Sequence, residues 1–574
     1  MLKRLYGYFA GYKKHLIISV ICVIFESGLE MTIPLLLAQI IDIGVANKDK
    51  AYILYKSGEM IGLAVLSLVL GLLYSRFAAM AGQGFGAELR KAQYRKVQEF
   101  SFANIDRFSV PSLITRLTGD ITVLQNAASN GLRPAIRGPV MMIIAVTMTL
   151  SLSPQLSMVF AVSIPVLALL LILILRKLSP IYGKMQRMLD QLNSVVQENL
   201  TAIRTVKSFV RGDDEYKKFS SANEDFRQTS QNAFHYAQLN LPSFQFAMYG
   251  TIVAILWFGA IYIREGTLKV GQLTGFLSYV LQILNSLMLI SNSFLLLSRS
   301  LTSGRRILEV MDEQPEIRDG GSAALVQRGE VEFEQVYFKY TQKAKEFVLT
   351  DINLHIDAGQ TIGIIGPTGS AKSSLVQLIP RLYDVSSGVV KIDGRDVREY
   401  GITHLRDAIG IVLQKNTLFS GTIRENLKWG NENATDEDLD WACRIACADE
   451  FLARFPNGYD TDLGQGGVNV SGGQKQRLCI ARALLKHPRI LIFDDSMSAL
   501  DTATEARVRE LLAEELQDTT KIIITQRLTS IERADLIVVL REGGIEAAGT
   551  HEELLRFNPM YRNLYEFQQK GATA

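Results

Sequence analysis

Six stretches of mostly apolar residues, at about 15–43, 54–82, 134–152, 155–178, 242–263 and 272–298, crowd the first 300 positions of the 574-residue chain. Each reaches the roughly 20 residues that an α-helix needs to cross a bilayer. Within lipid, only helices and closed barrels satisfy their own backbone groups. The first half is therefore expected to fold as a set of membrane helices. A mean hydropathy of +0.14 over so long a chain, with the apolar runs confined to one half, excludes a wholly soluble enzyme and a disordered scaffold. The net charge of +3, from 61 basic and 58 acidic residues, gives no reason to expect a nucleic-acid partner.

The spans carry local signals of their own. Pro34 and acidic residues interrupt the first, so it is expected to bend. Only Ser153 and Pro154 separate the third and fourth, which predicts a very short hairpin. Long polar stretches at 83–133 and 179–241 keep a helical pattern and are expected as helices running on beyond the bilayer. Lys3, Arg4, Lys13 and Lys14 precede the first span, and Arg90, Lys91, Arg95, Lys96, Arg176 and Lys177 lie in or beside the long connections. The positive-inside rule then places the N-terminus, both long loops and the C-terminal half in the cytoplasm, in a multi-pass protein of the plasma or inner membrane. MLKRLYGYFAGYKKHL shows no signal-cleavage pattern, so the first span is expected to be retained. Cys22, Cys443, Cys447 and Cys479 have no metal-ligand or disulfide spacing and read as reduced, buried thiols.

The second half changes character. After the charged run SGRRILEVMDEQPEIRDGGSAALVQRG, short strands such as VEFEQVYFKY, TIGIIG and RILIFDD alternate with helices. The expected architecture is a membrane α-helical domain with six transmembrane helices over 1–300, a linker over 301–328, and an α/β P-loop NTPase domain over 329–574. No strong internal repeat is present.

The strand TIGIIG runs into Gly366, Pro367, Thr368, Gly369, Ser370, Ala371, Lys372, Ser373 and Ser374. This is the phosphate-binding pattern G-x4-G-K-[ST], with Ala371 where the last glycine belongs. Small residues at a helix start let successive backbone N–H groups face phosphate oxygens. Lys372 is placed to reach the β- and γ-phosphates, and Ser373 to ligate Mg²⁺. RILIFDD ends in Asp494, a second candidate for that ion through water, and Gln414 follows another strand as a sensor of γ-phosphate and metal. VSGGQKQR sets Ser471, Gly472, Gly473 and Gln474 at a helix start, a second anion-binding surface. Tyr340, ending VYFKY, offers a ring to an adenine. Each feature alone has an ordinary structural explanation: a core strand, a loop glutamine, a helix cap, an edge tyrosine. Their joint occurrence in this order does not.

Together these motifs make the chain resemble the ATP-binding-cassette (ABC) exporters of the half-transporter type, over nearly its whole length. The most specific part is VSGGQKQR followed by RILIFDDSMSALD and IIITQRLTS. The resemblance implies ATP and Mg²⁺ as ligands. It also implies two cassettes facing head to tail, each ATP lying between one subunit's phosphate loop and the other's signature. On this likeness Tyr340 is the A-loop tyrosine, Gln414 the Q-loop glutamine, Ser471 the signature serine, and Ser498–Asp501 the D-loop. TDLGQGG would touch coupling helices expected near Phe108–Arg116 and Phe209–Phe219.

Two positions depart from the family pattern. Active members carry Glu after the Walker B aspartate as general base, whereas this chain has Asp495. One methylene shorter, its carboxylate would sit about 1 Å or more from the required place, a misplacement that can cost about 100-fold. The switch histidine is replaced by Gln526, which can bond the γ-phosphate but cannot take a proton. Asp495, Gln526 and Gln414 thus form a weakened catalytic set, while the signature Ser471–Gln474 is intact. The combination is similar to the degenerate half of heterodimeric bacterial multidrug exporters. The partner half-transporter would then supply the Walker B Glu, the switch His and an altered signature. The alternatives are a homodimeric lipid or peptide exporter with slow hydrolysis, and an ATP-gated regulatory membrane protein.

The expected partners are the lipid bilayer and, as cargo, a hydrophobic small molecule. Glu26 and Glu30 share one face of span one. They either attract cationic amphiphiles, with Phe25, Phe244, Phe246, Tyr249 and Trp257 as apolar contacts, or form a structural pair with Arg76. Asp42 is expected at an outer gate or facing water. Gln282, Asn285 and Asn292 mark a polar stripe on span six, either a translocation face or interhelical glue.

Overall fold

The computed structural model describes residues 1–342 and 344–572. The chain divides into two compact units, Met1–Gln98 with Pro111–Asp312, and Glu99–Val110 with Glu313–Ala574.

The first unit is helical. Among the described residues six helices are long and apolar enough to cross a membrane: Ala10–Val45, Lys50–Gln98, Val110–Leu152, Pro154–Thr201, Gly212–Arg264 and Val270–Ser291. The 49-residue helix Lys50–Gln98 extends about 73 Å, more than twice the roughly 30 Å of hydrocarbon in a bilayer. The polar stretches are thus helical, 179–241 passing through Ile203–Ser208 and a turn at 209–211 into Gly212–Gln238. Phe209 and Val210 in that turn are strongly exposed. In the first long connection a short helix, Val110–Thr115, lies within the expected Phe108–Arg116, and it is preceded by another, Phe102–Phe108. Ser101 caps it through a reciprocal bond with Asn104, a local signal that outranks helical periodicity.

Span one holds Pro34 within Lys13–Gln39 and then widens into a π-helical turn, Ile40–Val45. Asp42, expected at an outer gate or in water, is instead a cap. Its Oδ1 accepts the Gly271 N–H at 2.6 Å, satisfying a backbone donor in the first turn of span six. Spans three and four are joined by Ser153, whose Oγ accepts the Leu156 N–H at 3.3 Å, with Pro154 opening the next helix.

The acidic pair of span one is also differently engaged. Glu26, 3% exposed, pairs with Arg133 and lies 3.6 Å from Arg137, while Arg137 donates to Glu30 at 2.5 Å. Arg76, the expected partner, is exposed. Two arginines of span three therefore neutralise the two glutamates of span one, and the reading of Glu26 and Glu30 as a lure for cations gives way to a structural pair. Phe244 packs against the core around Met31, Phe276 and Tyr279, whereas Phe25, Phe246, Tyr249 and Trp257 are exposed. Gln282 is half-buried and Asn285 exposed; the side chain of Asn292 lies outside the described residues.

The stretch 301–328 is not a free linker. Through Asp312 it continues the helix Val270–Asp312, burying Ile307, Leu308 and Val310, and from Glu313 it belongs to the second unit.

That second unit is built on two sheets. A six-stranded sheet takes the order β10-β9-β3-β8-β7-β6, from Gly544–Gly549, Leu536–Arg541, Thr361–Ile365, Thr520–Ile524, Ile490–Asp494 and Ile409–Val412. All its pairings are parallel except β10 with β9. Every residue of β7 and β8 is buried, which explains their unbroken apolar runs. A smaller antiparallel sheet has the order β2-β1-β4-β5, from Leu349–Ile356, Val331–Phe338, Ser387–Ile392 and Arg395–Asp396. All four cysteines are free and buried, and burial pushes the Cys443 thiol up to about 12, so it stays protonated.

The ion pairs of spans one and three yield an expectation. Glu26→Ala leaves Arg133 without its counter-charge, while Arg137 keeps Glu30, and should cost about 3 kcal/mol, seen as loss of folded protein on detergent extraction. The double change Glu26→Leu with Arg133→Met should recover most of the yield; equal yields for all variants would mean that the pairing contributes nothing.

Candidate functional site

The ends of β3, β7 and β8 collect the residues singled out above. The loop 366–371 follows β3 and opens the helix Lys372–Leu378. A Cβ on Gly366 would lie 2.2 Å from the Leu540 carbonyl oxygen, so only glycine lets the loop pass the neighbouring strand. Gly369 takes φ 87, and Ala371 takes φ 70 and ψ 22, a left-handed conformation that L-residues adopt at a cost. Ala371 thus keeps the shape of the missing glycine.

Lys372 Nζ donates to the carbonyls of Gly366 and Pro367, both at 2.9 Å, and lies 3.4 Å from Ser370 Oγ. Burial pushes its ammonium below the usual lysine value, against the pull of Asp495 and Asp494. Ser373 Oγ donates to Asp494 Oδ1 at 2.6 Å. The hydroxyl and carboxylate expected to share a metal ion are therefore already adjacent, a donor set that suits the hard cation Mg²⁺. Gln414 is exposed just after β6, and among the described residues no hydrogen bond joins it to either.

Asp495 follows β7 with φ 47. Its Oδ2 accepts the Gln526 amide N–H at 3.3 Å, so the two atypical residues meet. Burial pushes the carboxyls of Asp494 and Asp495 above the usual 3.8, against the Ser373 bond in the first case and the Gln526 bond in the second. Tyr340, partly exposed, shares a hydrogen bond of 2.7 Å with Ser374 Oγ. Its ring meets Phe338 and Tyr383 edge-on, at 4.9 and 5.1 Å between centroids.

Ser471 caps the helix Gly472–Leu484. Its Oγ accepts the Gln474 N–H at 3.3 Å, and the Ser471 N–H donates to Gln474 Oε1 at 2.9 Å. The exposed Ser471 and Gly472 carry no bond to the phosphate loop of their own chain among the described residues.

Several residues escaped sequence reasoning. Arg527 donates to the Ser498 carbonyl at 3.3 Å and to Glu505 at 2.9 Å, tying the segment after β8 to the D-loop region. Gln568, near the C-terminus, donates to the Gln526 carbonyl at 2.7 Å and accepts the Leu528 N–H at 2.9 Å. Tyr383 donates to Asp106 at 2.8 Å, across 277 residues. No local motif announces such long-range partners.

Comparison with known proteins places these features. Residues 16–287 match the ABC transporter transmembrane region and residues 349–498 the ABC transporter domain. The uncharacterized ABC transporter ATP-binding protein YfiB of Bacillus subtilis is 39% identical over 551 residues, 96% of either chain. The putative multidrug export ATP-binding/permease protein YgaD of the same organism is 32% identical over 581 residues, 99% of either chain. A solved bacterial Atm1-family ABC exporter with ATP bound has the same fold, with a TM-score of 0.83 at 24% identity, covering 97% of this chain and 100% of that one.

Two outcomes are expected at the site. Ala371→Gly relieves the left-handed strain of about 1 kcal/mol and should raise the unfolding midpoint by about 2–4 °C; a lower midpoint would show that the methyl group's packing outweighs the strain. A carboxyl whose folded value is raised binds protons more readily folded than unfolded. Its contribution favours the fold at low pH and is lost as pH rises from 3.8 through the raised value. Asp495→Asn should therefore raise the midpoint of the nucleotide-free protein at pH 7, with the gain shrinking as pH falls toward 3.8, in thermal melts over that range. A drop at pH 7 would contradict this.

Proposed function

The chain belongs to the ABC transporter family, with a transmembrane region and an ATPase domain of the exporter fold on one polypeptide, and from that premise we propose that it is the weak-site half of a heterodimeric exporter. It moves hydrophobic drugs or other amphiphiles outward across the cell membrane, with its N-terminus and cassette in the cytoplasm. The observation that carries the weak-site reading is the 3.3 Å contact between Asp495 and Gln526. The two departures from the family pattern act on one another at the end of the phosphate loop rather than lying scattered.

On this reading ATP is held by Tyr340 and by the loop from Gly366 to Ser374, with Lys372 at its phosphates. Ser373 and Asp494, with Gln414, hold Mg²⁺, which neutralises phosphate charge. Asp495 is the carboxylate that would take the proton of an attacking water, and it is short of the place a glutamate would reach. Gln526 occupies one of its oxygens and cannot carry a positive charge. The site binds well and turns over slowly. Ser471–Gln474, with Ser471 and Gly472 exposed at the helix start, complete the efficient site on the partner.

For the cargo, the name of the relative YgaD supports a drug-like substrate. Because Arg133 and Arg137 neutralise Glu26 and Glu30, selection rests on apolar contact, with Gln282 and Asn285 as the polar groups of span six.

The test is an asymmetry in the assembled complex. Gly472→Asp blocks the signature and should lower ATPase activity about 100-fold or more. Asp495→Asn should lower it by less than about threefold, since most turnover occurs at the other site. If Asp495→Asn instead abolishes activity, the chain is a homodimeric exporter that uses Asp495 as its working base. Turnover that no substrate stimulates would favour the regulatory reading.

A further inference from the structure

The helix Phe102–Phe108 belongs by its packing to the cassette unit, yet its chain neighbours on both sides, up to Gln98 and from Pro111, belong to the membrane helices. Whatever moves this helix pulls directly on spans two and three. Two sets of contacts hold it. On one side Asn104 Nδ2 donates to Glu313 Oε1 at 2.9 Å and to the Gln314 carbonyl at 3.1 Å, and Arg107 bonds both oxygens of Glu313 at 2.9 Å. These bonds connect it to the segment that follows span six.

The other side leads to the nucleotide loop through one residue. Tyr383 donates its hydroxyl to Asp106 Oδ2 at 2.8 Å, and its ring lies 6.0 Å from that of Phe102. The same ring meets Tyr340 edge-on at 5.1 Å, with an interplanar angle of 85°. Tyr340 in turn bonds Ser374, in the first turn of the phosphate-loop helix. A void of about 30 Å³ is the space left among Ser101, Ala103, Phe338, Tyr340 and Tyr383, room for about one water. In so tight a cluster a turn of the Tyr340 ring displaces Tyr383, because packed side chains transmit strain rather than absorb it. The Tyr383 hydroxyl, pushed far up by burial and by Asp106, stays a donor throughout the physiological range.

We propose that Tyr383 is the positioning residue through which a purine base stacked on Tyr340 acts on the helix Phe102–Phe108, so that this helix responds to the base of the nucleotide and not to its triphosphate alone. The inference rests on the reading of Tyr340 as the base-stacking ring. It adds a route from the base end of the nucleotide to the membrane helices that bypasses the γ-phosphate, Asp495 and Gln526. In a subunit that hydrolyses slowly, such a route reports occupancy without turnover. Coupling of this kind is reciprocal in binding: a helix held by Asp106 favours the base, and a bound base favours the held helix.

The experiment uses the full-length chain in detergent with Mg²⁺, comparing ATP with ribose 5′-triphosphate, which has the same phosphates and no base. Hydrogen exchange is followed in residues 99–110, and affinities are measured in parallel. Saturating ATP should slow exchange there about fivefold or more, and the abasic triphosphate should not. Tyr383→Phe, which keeps the ring and removes the bond, should abolish the ATP effect and, by the same reciprocity, weaken ATP binding by about that factor and no more. Asp106→Asn, which retains an acceptor oxygen, should preserve the effect. Equal responses to the two ligands, or a full response in Tyr383→Phe, would overturn the proposal. Equal affinities for the two ligands would overturn the base-stacking reading itself, a failure visible in the binding data alone.

Discussion

The register of three buried parallel strands is the constraint on which the nucleotide site depends. β3 pairs Ile364 with Ile524 of β8, and β7 pairs Asp494 with the same Ile524. Three chain exits are thereby fixed side by side: the phosphate loop after Ile365, Asp495 after Asp494, and Gln526 after Ile524. These positions lie far apart in sequence and meet only because the strands are aligned, β7 and β8 buried throughout and β3 from Ile362 onward. Register is strongly specified where apolar residues fill both faces. The bond from Ser373 to Asp494 and the contact of Gln526 with Asp495 are consequences of that alignment.

Within this frame the scaffold and the reacting end diverge. The scaffold keeps the shape of a nucleotide site: Gly366 passes Leu540 closely, Ala371 adopts the glycine conformation, and Ser471 caps its helix with Gln474. The reacting end carries Asp495 and Gln526, in contact with each other, which on the proposed reading shorten the reach of the base and remove the capacity for charge. The membrane unit obeys a comparable economy of charge. Glutamates inside span one are tolerated because two arginines of span three meet them, and Asp42 because it caps span six.

Much of this was legible in the sequence, and the reasons for success and failure are physical. Six apolar runs of bilayer length announce six membrane-crossing helices, because hydrocarbon leaves the backbone no other choice. The phosphate loop, Asp494 and the signature stand out because their chemistry needs particular residue types at short, fixed spacing. The partners of Glu26 and Glu30 were not legible: Arg76 and Arg133 are equally plausible until helix facing is known. The start of the helix Phe102–Phe108 was not legible because a cap at Ser101 and Asn104 is a two-residue signal, easily lost among helical patterns on either side. Asp106 and Tyr383 could not be paired at all from spacing, since nothing local to RLYD names a carboxylate 277 residues earlier. The apparent linker after span six was misjudged from its charges, because Ile307, Leu308 and Val310 bury one face while the charged residues occupy the other.

The central claim is that this chain works beside a different chain that supplies what Asp495 and Gln526 lack. The most direct measurement is the intact mass of the complex, extracted gently from native membranes with this chain tagged. One copy bound to one different cassette protein of similar size, carrying Glu and His at the two corresponding positions, is the expected result. Two copies of this chain and no other would contradict it, and Asp495 would then stand as the working base of a symmetric exporter.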